Sequence, residues 1–486
     1  MNVPLRRLGL MIGVMLIALM LSTTVVQFFQ APSLNADSRN VRTIYRQYST
    51  DRGPIVVAGE SVAWSEPTDD PIYQFQRVYG QGSLYAHLTG YFSVAHNSST
   101  GVERYANEVL GGTADSLLLS RIQDLFTGRQ PQGGSVELTI DPAVQSTMAS
   151  VLERHTGAAV ALNPKTGAIL GMYSSPSFDP NLIAVRDREA AEANYQALLE
   201  DPDRPMDNRA IGGILYAPGS TFKVVTTAAY LEGDPARDAH SIVPTAPQLT
   251  LPQTTNIMHN PGGLACGPTD TGELIYAFRN SCNTTFAQLA MDMGHAEMAE
   301  MTSALGFGQE LSIPLTVTPS VYPEVDSDAQ LALTAIGQFD VRMSVLQNAM
   351  VAAAVANDGV LMTPYLIEVE RDADLGVIGR TDPSEFSRPF SERTAASLTE
   401  MMIAVVNDGT GRPAQLSGVQ IAGKTGTAET GTARAQHAWM IAFAPADDPQ
   451  IALAVVLEHG GALGTDAYGG SAVGPLIREI VRAAVQ

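Results

Sequence analysis

A chain of 486 residues exceeds one ordinary hydrophobic core and implies two or three folded units. Hydrophobic residues at 45%, charged residues at 16%, 43 glycines and 29 prolines describe a turn-rich globular protein and exclude disordered and fibrous classes. A net charge of −21 argues against nucleic acid or an anionic lipid surface as the main partner, and by itself describes a soluble, self-repelling exterior.

Arg6 and Arg7 precede an apolar run from Leu8 to about Val26, interrupted only by Ser22, Thr23 and Thr24. That is close to the roughly 20 residues that span a bilayer. Basic residues before it and acidic sequence after it predict the N-terminus inside and the remainder outside the cytoplasm. A cleaved signal peptide is the alternative, with small residues at Gln30-Ala31-Pro32-Ser33; the length of the run favours a retained anchor over residues 1–30. Export also makes Cys266 and Cys282 candidates for a disulfide, against two free buried thiols.

Residues 31–135 contain short strand-like pieces such as Pro54–Ala58 and form a first folded unit. His87 and His96 stand isolated there and read as polar surface or turn residues; nothing in the sequence points to a metal or an organic cofactor. Gly128–Gly134 reads as a linker. The second unit, 136–486, opens with alternation from Val136 to Ile140, then an Asp141 cap and Pro142 starting a helix to about His155. A hairpin follows, Ala158–Leu162 and Ala168–Tyr173, with Lys165 in its turn. Residues 186–407 read as mostly helical, and Val419–Ala422, His437–Ala444 and Ile451–Glu458 as antiparallel strands before a closing helix at Ser471–Val485. Strands at both ends of a helical middle predict an α+β fold, one sheet covered by helices.

Of the 29 basic residues, 26 are arginines; the lysines are Lys165, Lys223 and Lys424. A chain that nearly avoids lysine should keep it where an amine must lose its proton, which a guanidinium cannot do. Ser220-Thr221-Phe222-Lys223 opens a helix, so the hydroxyl and the amine are one turn apart. A serine becomes nucleophilic when a nearby base takes its proton. Taken alone, the motif reads as a capping serine followed by a surface lysine. Ser281-Cys282-Asn283 at a loop–helix junction and Lys424-Thr425-Gly426-Thr427 at a strand edge change that reading, because in order they account for both remaining lysines.

These three motifs resemble the set carried by penicillin-binding proteins and serine β-lactamases. Arg52-Gly53-Pro54-Ile55, Tyr85–Tyr91, Ala335-Ile336-Gly337-Gln338 and His437-Ala438-Trp439 extend the resemblance to class B penicillin-binding proteins, most of all the short actinobacterial A type. The resemblance implies a transpeptidase-like domain on an elongated mixed α/β pedestal behind one transmembrane helix. It implies that Ser220 attacks a D-Ala-D-Ala stem peptide, that Lys223 takes its proton, and that Ser281 and Asn283 position Lys223 and the substrate. Lys424, Thr425, Gly426 and Thr427 would hold the terminal carboxylate, and the Ser220 and Thr427 N–H groups would form an oxyanion hole worth about 3 kcal/mol per donor. Peptidoglycan stems, β-lactams and an integral-membrane glycosyltransferase are the implied partners. A Cys266–Cys282 bridge beside such a site would contribute roughly 3 kcal/mol. The chain has no Glu-x-x-x-Asn between Ser281 and Lys424 of the kind class A β-lactamases use for deacylation. A D,D-carboxypeptidase and a β-lactam sensor that does not turn over are the remaining alternatives.

Overall fold

The computed structural model describes residues 2–30, 34, 49–71, 73–93, 96, 98–117, 126, 132–263, 265–267, 269–311, 313–429, 435–466 and 468–485. Val3–Phe29 is a single exposed apolar helix of 27 residues with mean hydropathy 2.3. At 1.5 Å per residue it reaches about 40 Å, enough to cross a hydrocarbon layer of about 30 Å.

Two large sheets organise the described residues. Their strands in chain order are Ile55–Val57 (β1), Glu60–Pro67 (β2), Phe75–Tyr79 (β3), Ser135–Leu138 (β4), Gly157–Leu162 (β5), Ile169–Ser175 (β6), Ile367–Arg371 (β7), Val377–Arg380 (β8), Ala422–Ala428 (β9), His437–Ala444 (β10) and Ile451–Leu457 (β11). The first sheet runs β8-β7-β4-β1-β2-β3, with β1 and β4 parallel and its other neighbours antiparallel. Beside it, Glu103 is fully buried between Arg52 and Arg77, each with Nε 2.6 Å from one carboxylate oxygen. Arg77 also donates to the carbonyls of Arg52 and Gly53, so the Arg52-Gly53-Pro54-Ile55 segment is anchored to this buried triad.

The second sheet, β9-β10-β11-β5-β6, is antiparallel throughout. Alternate residues divide between two cores. Ile451, Leu453 and Val455 join Val144, Met148, Ile477 and Ile480 of the helices Pro142–Leu152 and Gly474–Val485. Ala452, Ala454 and Val456 join the helices Val345–Ala356 and Glu392–Asp408 on the other face. Burial on both faces explains why β10 and β11 read as continuous apolar runs rather than alternating ones. The Asp141 carboxylate accepts from the Ala143 and Val144 N–H groups, a cap worth about 1 kcal/mol.

Several expectations are corrected. His87 is buried, with Nε2 2.9 Å from the Pro205 carbonyl, and burial lowers its pKa to about 4. His96 keeps its expected place in a turn, half-buried against Tyr195. The helical middle also contains short ladders, and β7 and β8 cross from it into the first sheet. The strand expected at Val419–Ala422 instead begins at Ala422 and carries the lysine motif. Residues 128–131 of the expected linker lie outside the described residues.

Candidate active site

Ser220 lies in a 3-10 turn, Gly219–Phe222, that leads into the α-helix Lys223–Glu232. Residues three apart eclipse in such a turn, and the Lys223 backbone N–H donates to the Ser220 carbonyl. The turn is gripped by its neighbours. Gly219 has φ +56°, its N–H donates to the Gly337 carbonyl at 3.0 Å, and a Cβ there would meet the Thr427 carbonyl oxygen at 2.3 Å. A Cβ on Gly426 would in turn lie 2.9 Å from the Pro218 oxygen. The absence of side chains at these two positions lets the edge strand β9 touch the backbone that carries Ser220. Trp439 Nε1 donates to the Ala217 carbonyl at 3.1 Å and fixes the approach to the turn.

Lys223 is fully buried, which removes the surface-lysine alternative. Its Nζ donates to the Ser281 carbonyl at 2.7 Å and Asn283 Oδ1 at 2.8 Å, and lies 3.4 Å from Ser281 Oγ. Lys424, also fully buried, donates to the same Ser281 Oγ at 2.8 Å and to the Thr425 carbonyl at 3.0 Å. Ser281 adopts φ +58°, a costly conformation for a non-glycine residue, and offers both its carbonyl and its hydroxyl to the amines. Lys223, Ser281, Asn283 and Lys424 therefore converge, although 201 residues separate the first from the last in sequence. Among the described residues the Ser220 hydroxyl makes no hydrogen bond to Lys223, whose amine is turned to Ser281 and Asn283.

No carboxylate pairs with either amine among the described residues; their surroundings are amide, hydroxyl and aromatic. Lys223 Nζ lies 5.6 Å from the Phe286 ring centre and Lys424 Nζ 5.6 Å from that of Phe278, two buried rings packed edge-to-face. Burial, and then the neighbouring Lys424, hold the Lys223 amine well below the ordinary lysine range. Burial lowers Lys424 to about 7. A buried pair of amines without a counter-charge favours loss of a proton from one, which is the state a base requires.

On β9, Lys424 pairs with Ile441 and Thr427 with Ala438, leaving the opposite edge of the strand outside the ladder. Thr425 is buried with its hydroxyl 2.5 Å from that of Thr410, while Thr427 is half-buried beside the turn. Cys282 stands immediately before the helix Asn283–Met293, makes no capping hydrogen bond with its side chain, and is disulfide-bonded to Cys266, Cα to Cα 6.0 Å. Sequence reasoning missed two contributors. Asn260 Oδ1 accepts from the Asn283 and Thr284 N–H groups and the Thr284 hydroxyl, capping from a distant loop the helix that carries Asn283. Thr410 is the other. Neither lies in a motif, and only tertiary contact reveals them.

Known proteins resemble this chain in sequence and in fold. Residues 157–482 match the penicillin binding protein transpeptidase domain, and residues 52–136 match the penicillin binding protein A dimerisation domain. The chain is 42% identical to the peptidoglycan D,D-transpeptidase PbpA of Mycolicibacterium smegmatis and 40% identical to that of Mycobacterium tuberculosis, in both cases over 100% of this chain and 99% of the relative. Penicillin-binding protein A from M. tuberculosis, as its penicillin G acyl-enzyme complex, superimposes with a TM-score of 0.85 at 40% identity, covering 90% of this chain and all of that one; the ceftriaxone acyl-enzyme gives 0.87. The chain belongs to the penicillin-binding protein transpeptidase family, as a class B member similar along its whole length to the mycobacterial A-type proteins.

Proposed function

We propose that this protein is a peptidoglycan D,D-transpeptidase that cross-links stem peptides through an acyl-enzyme on Ser220 and is acylated by β-lactams at the same residue. The observation that carries the reading is the convergence of two buried, unpaired lysines on Ser281 beside the Ser220 turn. With Lys223 neutral, its amine, one turn from the Ser220 hydroxyl in the chain, is the base that takes the hydroxyl proton. Ser220 Oγ adds to the carbonyl of the penultimate D-Ala as its proton passes to Lys223. The negative charge on the substrate oxygen meets the Ser220 and Thr427 backbone N–H groups. Ser281, accepting from both lysines, is placed to pass the proton to the leaving D-Ala nitrogen as the C–N bond breaks and the ester remains. An acceptor amine then adds to the ester, loses a proton to the same groups, and releases Ser220 with a new peptide bond. Lys424, with the Thr425, Gly426 and Thr427 edge, holds the terminal carboxylate; Asn283 holds Lys223 and the substrate amide.

The apolar N-terminal helix and the kinship with penicillin-binding proteins support a membrane-anchored protein. We assign residues 1–30 to a cytoplasmic stub and anchor in the cell membrane, 31–135 to the pedestal and 136–486 to an extracytoplasmic catalytic unit, which lends β4, β7 and β8 to the pedestal sheet. An integral-membrane glycosyltransferase is the partner such an anchor would meet. Labelling with a fluorescent penicillin followed by mass spectrometry tests the chemistry. Wild type should carry one stable adduct on Ser220 and Ser220→Ala none. A wild-type chain without an adduct would refute the reading, and rapid release of the adduct would redirect it to β-lactamase chemistry.

A further inference from the structure

The turn that carries Ser220 is held from beneath by a side chain that belongs to none of the three motifs. The helix Val345–Ala356 is buried along its length, and apart from Gln347 and Asn348 it consists of Val, Leu, Met and Ala. Gln347 Nε2 donates to the Leu305 carbonyl at 2.7 Å. Asn348 Nδ2 donates to Thr221 Oγ1 at 3.0 Å, across 127 residues of sequence. Thr221 follows Ser220, is fully buried, and donates its own hydroxyl hydrogen to the Pro218 carbonyl at 2.9 Å. A hydroxyl has one hydrogen. Because it is used on Pro218, Thr221 must accept from Asn348, which fixes the orientation of the amide. Asn348 Oδ1 is then left buried without a partner among the described residues. Such an atom is unfavourable, and a Leu or Met in this helix would avoid it. The retained amide therefore needs a reason beyond packing, and its donor is the one group that finds a partner.

The chain Asn348 to Thr221 to Pro218 spans the turn. Pro218 and Thr221 are also the residues that a Cβ on Gly426 would strike, at 2.9 Å from Pro218 O and 2.9 Å from Thr221 Cγ2. The same two residues thus set both the pitch of the Ser220 turn and its seat against β9. We propose that Asn348 is a positioning residue for acylation: its amide polarises Thr221 toward Pro218 and holds the Ser220 hydroxyl and N–H in line with the Thr427 N–H. The inference rests on Ser220 being the nucleophile.

The test is the second-order acylation rate of the full-length, detergent-solubilised protein with a fluorescent penicillin, with thermal unfolding measured in parallel. Asn348→Leu should acylate about 10- to 100-fold more slowly, as a small misplacement of reacting groups does, with the loss in the acylation rate constant rather than in prior binding. Thr221→Val should show a similar loss, and the double variant should be little worse than either single one, because the two side chains act as one unit. Asn348→Asp supplies the readout that packing alone would not move. The protonated acid can donate to Thr221 and the carboxylate cannot, so its rate relative to wild type should fall as pH rises. Lys223 and Lys424 titrate in every variant, and Asn348→Leu, whose ratio to wild type should stay flat, is the control for their titration. Should Asn348→Leu fail to fold, Asn348→Asp and Thr221→Val carry the test. Folded variants acylating within twofold of wild type, or a flat ratio for Asn348→Asp, would overturn the assignment. Absence of a wild-type adduct on Ser220 would instead overturn the nucleophile reading, and the positioning role with it.

Discussion

Lys223→Arg separates charge from basicity. Both amines approach Ser281 Oγ, at 3.4 Å for Lys223 and 2.8 Å for Lys424. The two nitrogens are thus no more than about 6 Å apart, and two full charges there repel by roughly 3 kcal/mol at an effective dielectric constant of about 20. Burial, and then the neighbouring Lys424, favour the neutral form of the Lys223 amine, which relieves this repulsion in the wild type. A guanidinium stays charged, so the variant loses the base and pushes the proton off Lys424 instead. General-base catalysis contributes about 10²- to 10⁴-fold. Acylation by a fluorescent penicillin should therefore fall by about 10³-fold, with a loss of stability in urea unfolding of at most roughly 3 kcal/mol, reached at low pH where Lys424 keeps its proton. In the wild type the acylation rate should rise with pH as the lysine pair loses its proton and then level off, with an apparent pKa that belongs to the pair. Lys223→Arg acylating within tenfold of wild type would remove Lys223 from the base role.

Lys424 adds a pH dependence to stability itself. Its folded pKa of about 7 lies below the ordinary lysine value of 10.5, so between those values the unfolded chain binds the extra proton and stability rises with pH, by up to roughly 1.4 kcal/mol per pH unit. Lys424→Met should flatten that rise in urea titrations between pH 7 and 9; an unchanged slope would show that the amine keeps its proton on folding. The Cys266–Cys282 bridge should leave no free thiol under denaturing, non-reducing conditions, whereas two alkylated thiols would contradict it. Cys266→Ser should cost roughly 3 kcal/mol in the chain-entropy view and loosen the start of the helix that carries Asn283.

Much of the site was legible because its chemistry is local. Ser220 and Lys223 are one turn apart, Ser281 and Asn283 flank a helix start, and Lys424 opens a strand edge. The scarcity of lysine made those positions conspicuous before any fold was known. The strands β10 and β11 and the Asp141 cap were equally visible, since apolar runs and capping residues act at short range. His87 was misread because an isolated histidine carries no mark of burial in its neighbours along the chain. The crossing of β7 and β8 into the first sheet was hidden because pairing partners far apart in sequence leave no local signal.

The sequence by itself determined which groups could react: a hydroxyl, two amines, an amide and a strand edge, in an order that names their chemistry. Only the tertiary structure decided how they act on one another. It buries both lysines on one hydroxyl, caps the Asn283 helix from Asn260, and presses Gly219 against Thr427 and Gly426 against Pro218, so that the Ser220 turn meets β9. The physical reason is that desolvation and charge proximity depend on distances in space. Nothing along the chain sets how deeply Lys223 is buried or how near Lys424 comes to it, and those two conditions, in that order, lower the pKa of its amine.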